Sequence, residues 1–111
     1  MATTSPGFIR SPRQVVTIHV DSRGEVQRID PDPFVIIKSK QEEVIWQASD
    51  PRAYFTVDFG QDSPFEYSHF SSDEPCSGLV RREVQGDPGK NYKYTVRAGG
   101  RTIDPGGIVN R

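Results

Sequence analysis

Four stretches of this chain alternate apolar and polar residues with a period of two, and no stretch of useful length repeats its apolar residues at helical spacing. In residues 15–21, "VVTIHVD", Val16, Ile18 and Val20 face one way, and Val15, Thr17, His19 and Asp21 the other. Residues 42–50, "EEVIWQASD", put Val44, Trp46 and Ala48 on one face. Residues 53–60, "AYFTVDFG", turn Phe55, Val57 and Phe59 inward and Tyr54, Thr56 and Asp58 outward. In residues 92–98, Tyr92, Tyr94 and Val96 alternate with Lys93, Thr95 and Arg97. Such rows fit half-buried strands. With 33% hydrophobic residues, 10 Gly and 9 Pro, the composition favours short strands and many turns over a helical bundle. A chain of 111 residues supports one all-β domain with one modest core and no second domain.

Proline limits how those strands connect. "VQRIDPDPFVIIKSK" sets Pro31 and Pro33 inside a β-rich stretch, and a residue without an N–H cannot donate to a ladder. The segment is therefore an edge, a kink or a point where the chain changes sheet. Residues 1–13, with isolated Phe8 and Ile9 among Ser, Thr, Pro and Arg, read as a flexible tail ahead of a domain at 14–111. Residues 60–78 are long for a hairpin and irregular, which predicts an excursion at one end of the fold. "LVRREV" and "YKYTVRA" are expected to pair antiparallel across the turn-rich "QGDPGKN".

A formal net charge of -1 removes the global electrostatic drive of a typical nucleic-acid or membrane-surface binder, so neither is an expected partner. The lone Cys76 excludes an intramolecular disulfide and is compatible with a reducing compartment. The N-terminal residues lack the apolar run of a signal peptide, and no segment approaches the ~20 apolar residues of a membrane span, which leads us to expect a soluble, cytoplasmic protein.

The succession "DPDPFVIIKSKQEEVIWQ", "YFTVDF", "SPFEYSHF" and "YKYTVRAGGRTIDPGGIV" resembles the cupredoxin-like β-sandwich of plastocyanin-type blue-copper proteins from Val15 onward. The resemblance implies two packed antiparallel sheets with Trp46, Phe55 and Tyr92 or Tyr94 in the core. The fold class expected is a single two-sheet antiparallel Greek-key sandwich, cupredoxin-like or immunoglobulin-like. The family's copper-binding His, which opens the strand after the apolar-x-Trp strand, has no counterpart in Ala53-Tyr54-Phe55. Val96 occupies the place of the family's thiolate, and "RAGGRT" replaces the loop that carries its remaining ligands. Blue-copper chemistry needs two imidazoles and a thiolate, so the resemblance carries the scaffold and not the activity or a cofactor.

His69 and Cys76 share the excursion with Asp73 and Glu74, the one cluster with metal-ligand or Cys-His chemistry, yet at a spacing that matches no metal or thiol-activation motif. His19 reads as a solvated strand residue. Neither "AGG" nor "QGDPGK" has phosphate-loop spacing, and no catalytic signature is present. Residues 50–77 carry six carboxylates against Arg52, whereas the chain from Gly78 onward is mostly basic. In "SPFEYSHF", Phe65 and Phe70 are expected to plug the fold while Tyr67 and His69 face solvent. The expected function is a non-catalytic adaptor that binds another protein through Tyr67, His69, Asp73 and Glu74, or through an edge strand in "VVTIHVD" or "GGIV". The alternatives are a metal or redox site at His69 and Cys76, and ligand binding by Tyr67 and Tyr54.

Overall fold

The first alternating stretch forms β1 (Arg13–Val20), with Val16 and Ile18 fully buried and Val20 partly buried. In the computed structural model, which describes residues 12–111, β1 is the middle strand of a three-stranded sheet. It pairs antiparallel with β2 (Val26–Asp30) and parallel with β4 (Glu43–Ala48). A second sheet runs β3 (Phe34–Ile37), β10 (Gly106–Asn110), β7 (Asp87–Lys93). The third has the order β6 (His69–Ser71), β5 (Phe55–Asp58), β8 (Thr95–Ala98), β9 (Arg101–Ile103). One 3-10 turn, Lys38–Lys40, is the only helical element among the described residues.

The chain changes sheet where the prolines stand. β2 ends at Asp30 in the first sheet, and the chain re-emerges at Phe34 in the second, because neither Pro31 nor Pro33 can donate to a ladder. Asp32 fixes the crossing by accepting the Gly106 N–H at 2.9 Å. A second crossing falls at Tyr94, between β7 and β8, whose N–H bonds to the Pro105 carbonyl at 3.0 Å.

Several expectations need correction. The sheets are not purely antiparallel: β1 with β4, and β3 with β10, run parallel. Parallel neighbours require a long crossover, and residues 21–42 supply one between β1 and β4. Hydrogen bonding also divides the strands into three sheets instead of two. The expected tail lies outside the described residues up to residue 11; Arg13, placed in it, opens β1, and the Pro12 carbonyl accepts the Glu43 N–H at 2.9 Å. "LVRREV" is not a strand. Only Val80 forms a bridge there, to Phe65, while the Lys38 ammonium donates to the Arg82 and Val84 carbonyls. The strand begins instead in the expected turn at Asp87, in register with β10. Both proposed edges, β1 and β10, are central strands.

The inward rows meet in one aromatic core. Trp46 stacks on Phe70 with ring centroids 5.2 Å apart, and Tyr94 lies 4.8 Å from Phe59. Phe34 and Phe65 complete the cluster. The indole N–H of Trp46 donates to the Tyr94 hydroxyl at 3.4 Å, and burial drives the phenol's pKa well above its ordinary value. Removing the indole opens a cavity and strands that hydroxyl. Trp46→Ala is expected to cost about 3–5 kcal/mol, read as a lowered midpoint of chemical denaturation.

Gly107 stands opposite Phe34 across the β3–β10 pair, and its missing side chain leaves room for the ring. A Cβ at that position would fall on the Phe34 ring, which is fully buried and has nowhere to retreat. Gly107→Ala should therefore lower the thermal midpoint by many degrees or abolish soluble expression, whereas Gly100→Ala, with open space at its Cβ, should pay only for its positive φ.

Candidate functional site

Residues 60–78 leave β5 and return along two anchored arms. In the first arm the Ser63 hydroxyl donates to the Tyr67 carbonyl at 2.7 Å and accepts the Phe65 N–H at 3.1 Å, which fixes the bend. Phe59 N–H binds the Ser68 carbonyl at 2.8 Å. Phe65 and Phe70 are buried and Tyr67 and His69 lie outside, as the sequence predicts, although not by strict alternation: the adjacent Glu66 and Tyr67 are both exposed, because the bend at Ser63 and Phe65 interrupts the strand. A tight turn joins Ser71 to Glu74 through reciprocal backbone bonds of 3.0 and 3.2 Å.

The second arm, residues 75–77, lies along the outer edge of β4. The Trp46 N–H binds the Pro75 carbonyl at 3.0 Å, Ser77 N–H binds the Val44 carbonyl at 2.8 Å, and Val44 N–H binds the Ser77 hydroxyl at 2.8 Å. Cys76 faces the same side as Ile45, its partner across this edge.

Between the arms lies an open groove of about 430 Å³, lined among others by Glu66, Tyr67, His69, Glu74, Cys76 and Leu79. Tyr67 is 74% exposed and Leu79 45%, so the groove presents two apolar side chains to water. Glu66 and Glu74 form no ion pair among the described residues. The segregated charge is partly neutralised elsewhere, by a Lys90–Asp62 pair at 3.1 Å.

Of the four residues expected to bind a partner, Tyr67, His69 and Glu74 line the groove together, while Asp73 sits on the tip of the neighbouring turn and does not. The sequence context of Leu79 predicts a strand; in the structure Leu79 lies outside any strand and lines the groove. Tyr54 lines a different depression, with Arg52 and Ser22, so it shares no groove with Tyr67. His19 is half-buried, with its Nε2 enclosed and lacking a hydrogen-bond partner among the described residues, not solvated as expected.

The chemistry of the two soft ligands is muted by their own contacts. His69 turns its Nε2 to the Asp58 carboxylate at 3.2 Å, and its Nδ1 lies 3.2 Å from the Ser68 hydroxyl. The Cys76 thiol donates to Glu43 at 3.1 Å. Burial first, and Glu43 next to it, push the thiol's pKa up, which disfavours the thiolate that a nucleophile or metal ligand requires. Among the described residues no three His, Cys, Asp or Glu side chains converge on a metal-sized site. Val96 is fully buried between Val57 and Ile103. No helix among the described residues is long and apolar enough to cross a membrane.

Comparison of the chain with protein-family models, curated proteins and solved structures gave no match. The groove's own geometry therefore carries the functional reading.

The raised thiol pKa has a measurable consequence. Alkylation of Cys76 by iodoacetamide should be slower than that of a free cysteine peptide at pH 8, with its pH midpoint displaced upward. Glu43→Gln, which removes the anion but keeps a hydrogen-bonding side chain, should bring that midpoint down; an unchanged midpoint would leave burial as the sole cause.

Proposed function

We propose that this protein is a non-catalytic binding module, built on a copper-less cupredoxin-like sandwich, that holds another protein in the groove between Tyr67 and Leu79. The observation that carries the reading is the pairing of exposed apolar surface with two carboxylates that form no ion pair among the described residues, on backbone that is hydrogen-bonded to the sheets. Exposed Tyr and Leu on anchored loops supply contact area at little conformational cost, which is the economy of a recognition surface. Within the excursion His69 is bonded to Asp58 and Cys76 to Glu43, and Asp73 lies out of the groove, so these groups do not pair with one another. The sandwich reading is supported by Trp46, Phe55, Tyr92 and Tyr94 sharing one core, as the cupredoxin resemblance implies.

Stability and binding should separate. Tyr67→Ala combined with Glu74→Lys alters two exposed side chains that hold no other element in place, so the thermal midpoint should move by no more than a few degrees. The same variant should lose the protein that co-purifies with the parent from its native host. Asp73→Lys alone, beside the groove but not in it, should retain that protein. Undiminished capture by the double variant would overturn this reading.

A further inference from the structure

Pairing along the outer edge of β4 stops before the strand does. The odd-numbered residues of this stretch bond to β1: the Glu43 N–H binds the Pro12 carbonyl and the Ser49 N–H the Ile18 carbonyl, both at 2.9 Å. The even-numbered residues therefore direct their N–H and C=O to the opposite edge, where Val44 and Trp46 meet Ser77 and Pro75. Ala48 comes next in that row. By then the second arm has turned off into the Ser71–Glu74 turn, and the Ala48 N–H and C=O find no hydrogen-bond partner among the described residues. The Trp46 C=O is left open as well, because Pro75, which accepts from the Trp46 N–H, has no N–H to return.

These groups border a depression of about 500 Å³ whose apolar walls include Ile45, Pro51, Phe55 and Pro75. Trp46 is 1% exposed and Ala48 half-buried, so water reaches both from a restricted side. A backbone group without a partner in such a place costs free energy that a matching ligand recovers. The hydroxyls near by are already committed to the fold: Ser49 Oγ accepts the Val20 N–H at 3.0 Å, and Ser72 Oγ accepts the Phe55 N–H at 2.9 Å. No charged side chain lines the depression, in contrast to the groove with Glu66 and Glu74.

The open groups select a ligand chemistry. The N–H and C=O of one strand residue lie side by side, so their complement presents an acceptor and a donor at a matching spacing. A carboxylate would meet the N–H but set its second oxygen against a carbonyl. An ammonium would meet the carbonyls and leave the N–H unsatisfied. A hydroxyl or a water has a single oxygen for both tasks. A primary carboxamide carries acceptor and donor on separate atoms and has no charge to desolvate.

We propose that this depression is a binding site for a primary carboxamide, held by the Ala48 N–H and C=O with its stem against Ile45, Phe55 and Pro75. The carboxamide belongs either to an Asn or Gln side chain of a partner or to a small neutral amide. The site shares no lining residue with the Tyr67 groove, so it stands apart from the binding-module reading.

Amide nuclear magnetic resonance of the isotope-labelled full chain, titrated with defined probes, tests the assignment. Propionamide should move the Ala48 N–H signal downfield along a saturating curve, with smaller shifts at Gln47, Ser49 and Ser72 and none at Tyr67. N,N-dimethylpropionamide keeps the acceptor but has no donor, and should bind several-fold more weakly. Propionate should leave the Ala48 signal in place. Ala48→Pro, which removes the N–H without touching the bonds to β1, should abolish the saturable shifts at Gln47 and Ser49. An Ala48 signal in the parent that propionamide leaves unmoved, or that the dimethyl compound moves equally, would overturn the proposal whether or not the proline variant folds. Two model compounds identify the source. Tighter binding of N-acetylglutamine N-methylamide than of propionamide assigns the site to a partner's side chain, and the reverse order assigns it to a free amide. N-acetylnorvaline N-methylamide, which has the same backbone and no carboxamide, should bind weakly; affinity equal to that of the glutamine compound would show that Ala48 takes peptide backbone and would overturn the assignment.

Discussion

The groove depends on one pairing, the seating of residues 75–77 on the outer edge of β4. Those three residues close the edge with bonds to Val44 and Trp46, and in doing so they hold the second wall of the groove at a strand's distance from the core. Pro75 contributes only a carbonyl, so the pairing stops there and the chain turns away through Glu74 into the Ser71 turn. The first wall is fixed independently by Ser63 and by Phe65 and Phe70, whose rings belong to the core around Trp46. Two loops with separate anchors therefore face each other across a gap that neither can close without giving up buried contacts.

How much of this is legible in the sequence follows from the range of the interaction that decides each feature. Inward rows are set by local alternation, and Val16, Ile18, Trp46, Phe55, Val57, Tyr94 and Val96 are all buried as their spacing predicts. That the ladder is interrupted at Pro31 and Pro33 is legible for the same reason, since a missing N–H is a property of one residue, but the choice of a sheet change over an edge or a kink is not. Strand partners are not local. Nothing near β1 states that β4 will lie parallel to it, because that choice is made by the length of the intervening chain and the twist of the sheets. β7 is hidden for a related reason: in "DPGKNYK" six of seven residues are exposed, so it has no apolar row and becomes a strand only because β10 supplies a ladder. Tyr67 and His69 are legible as outward residues, while Leu79 joins the site only through pairing across β4.

Electrostatics sharpens what the groove would select under the proposed reading. Glu66 and Glu74 are exposed, so each stays well hydrated, and a surface ion pair formed with either adds at most about 1 kcal/mol. Their value lies in discrimination and encounter: an acidic ligand meets two like charges, and a basic one is steered in. Affinity must come mainly from covering Tyr67 and Leu79, which return about 25 cal/mol for each Å² of apolar surface removed from water. The combination favours ligands that are apolar and cationic at once over those that are merely basic.

The remaining sheet edges explain why recognition would concentrate in this groove. β6 and β9 are three residues long, and β3 has four before the Lys38–Lys40 turn ends it, so all three are too short to template a partner strand of useful length. β7 carries Pro88, Lys90 and Lys93, and Lys90 lies over the Tyr92 ring with its ammonium 4.7 Å from the centroid, so that edge combines a missing donor with positive charge. β2 presents Gln27, Arg28 and Asp30 to solvent, and the sheet-changing prolines cut it off after five residues. The two strands expected from the sequence to offer an edge, β1 and β10, are each enclosed by neighbours on both sides. Edges that are short, charged or interrupted resist strand addition, which is why the proposed reading places recognition in the side chains of the groove.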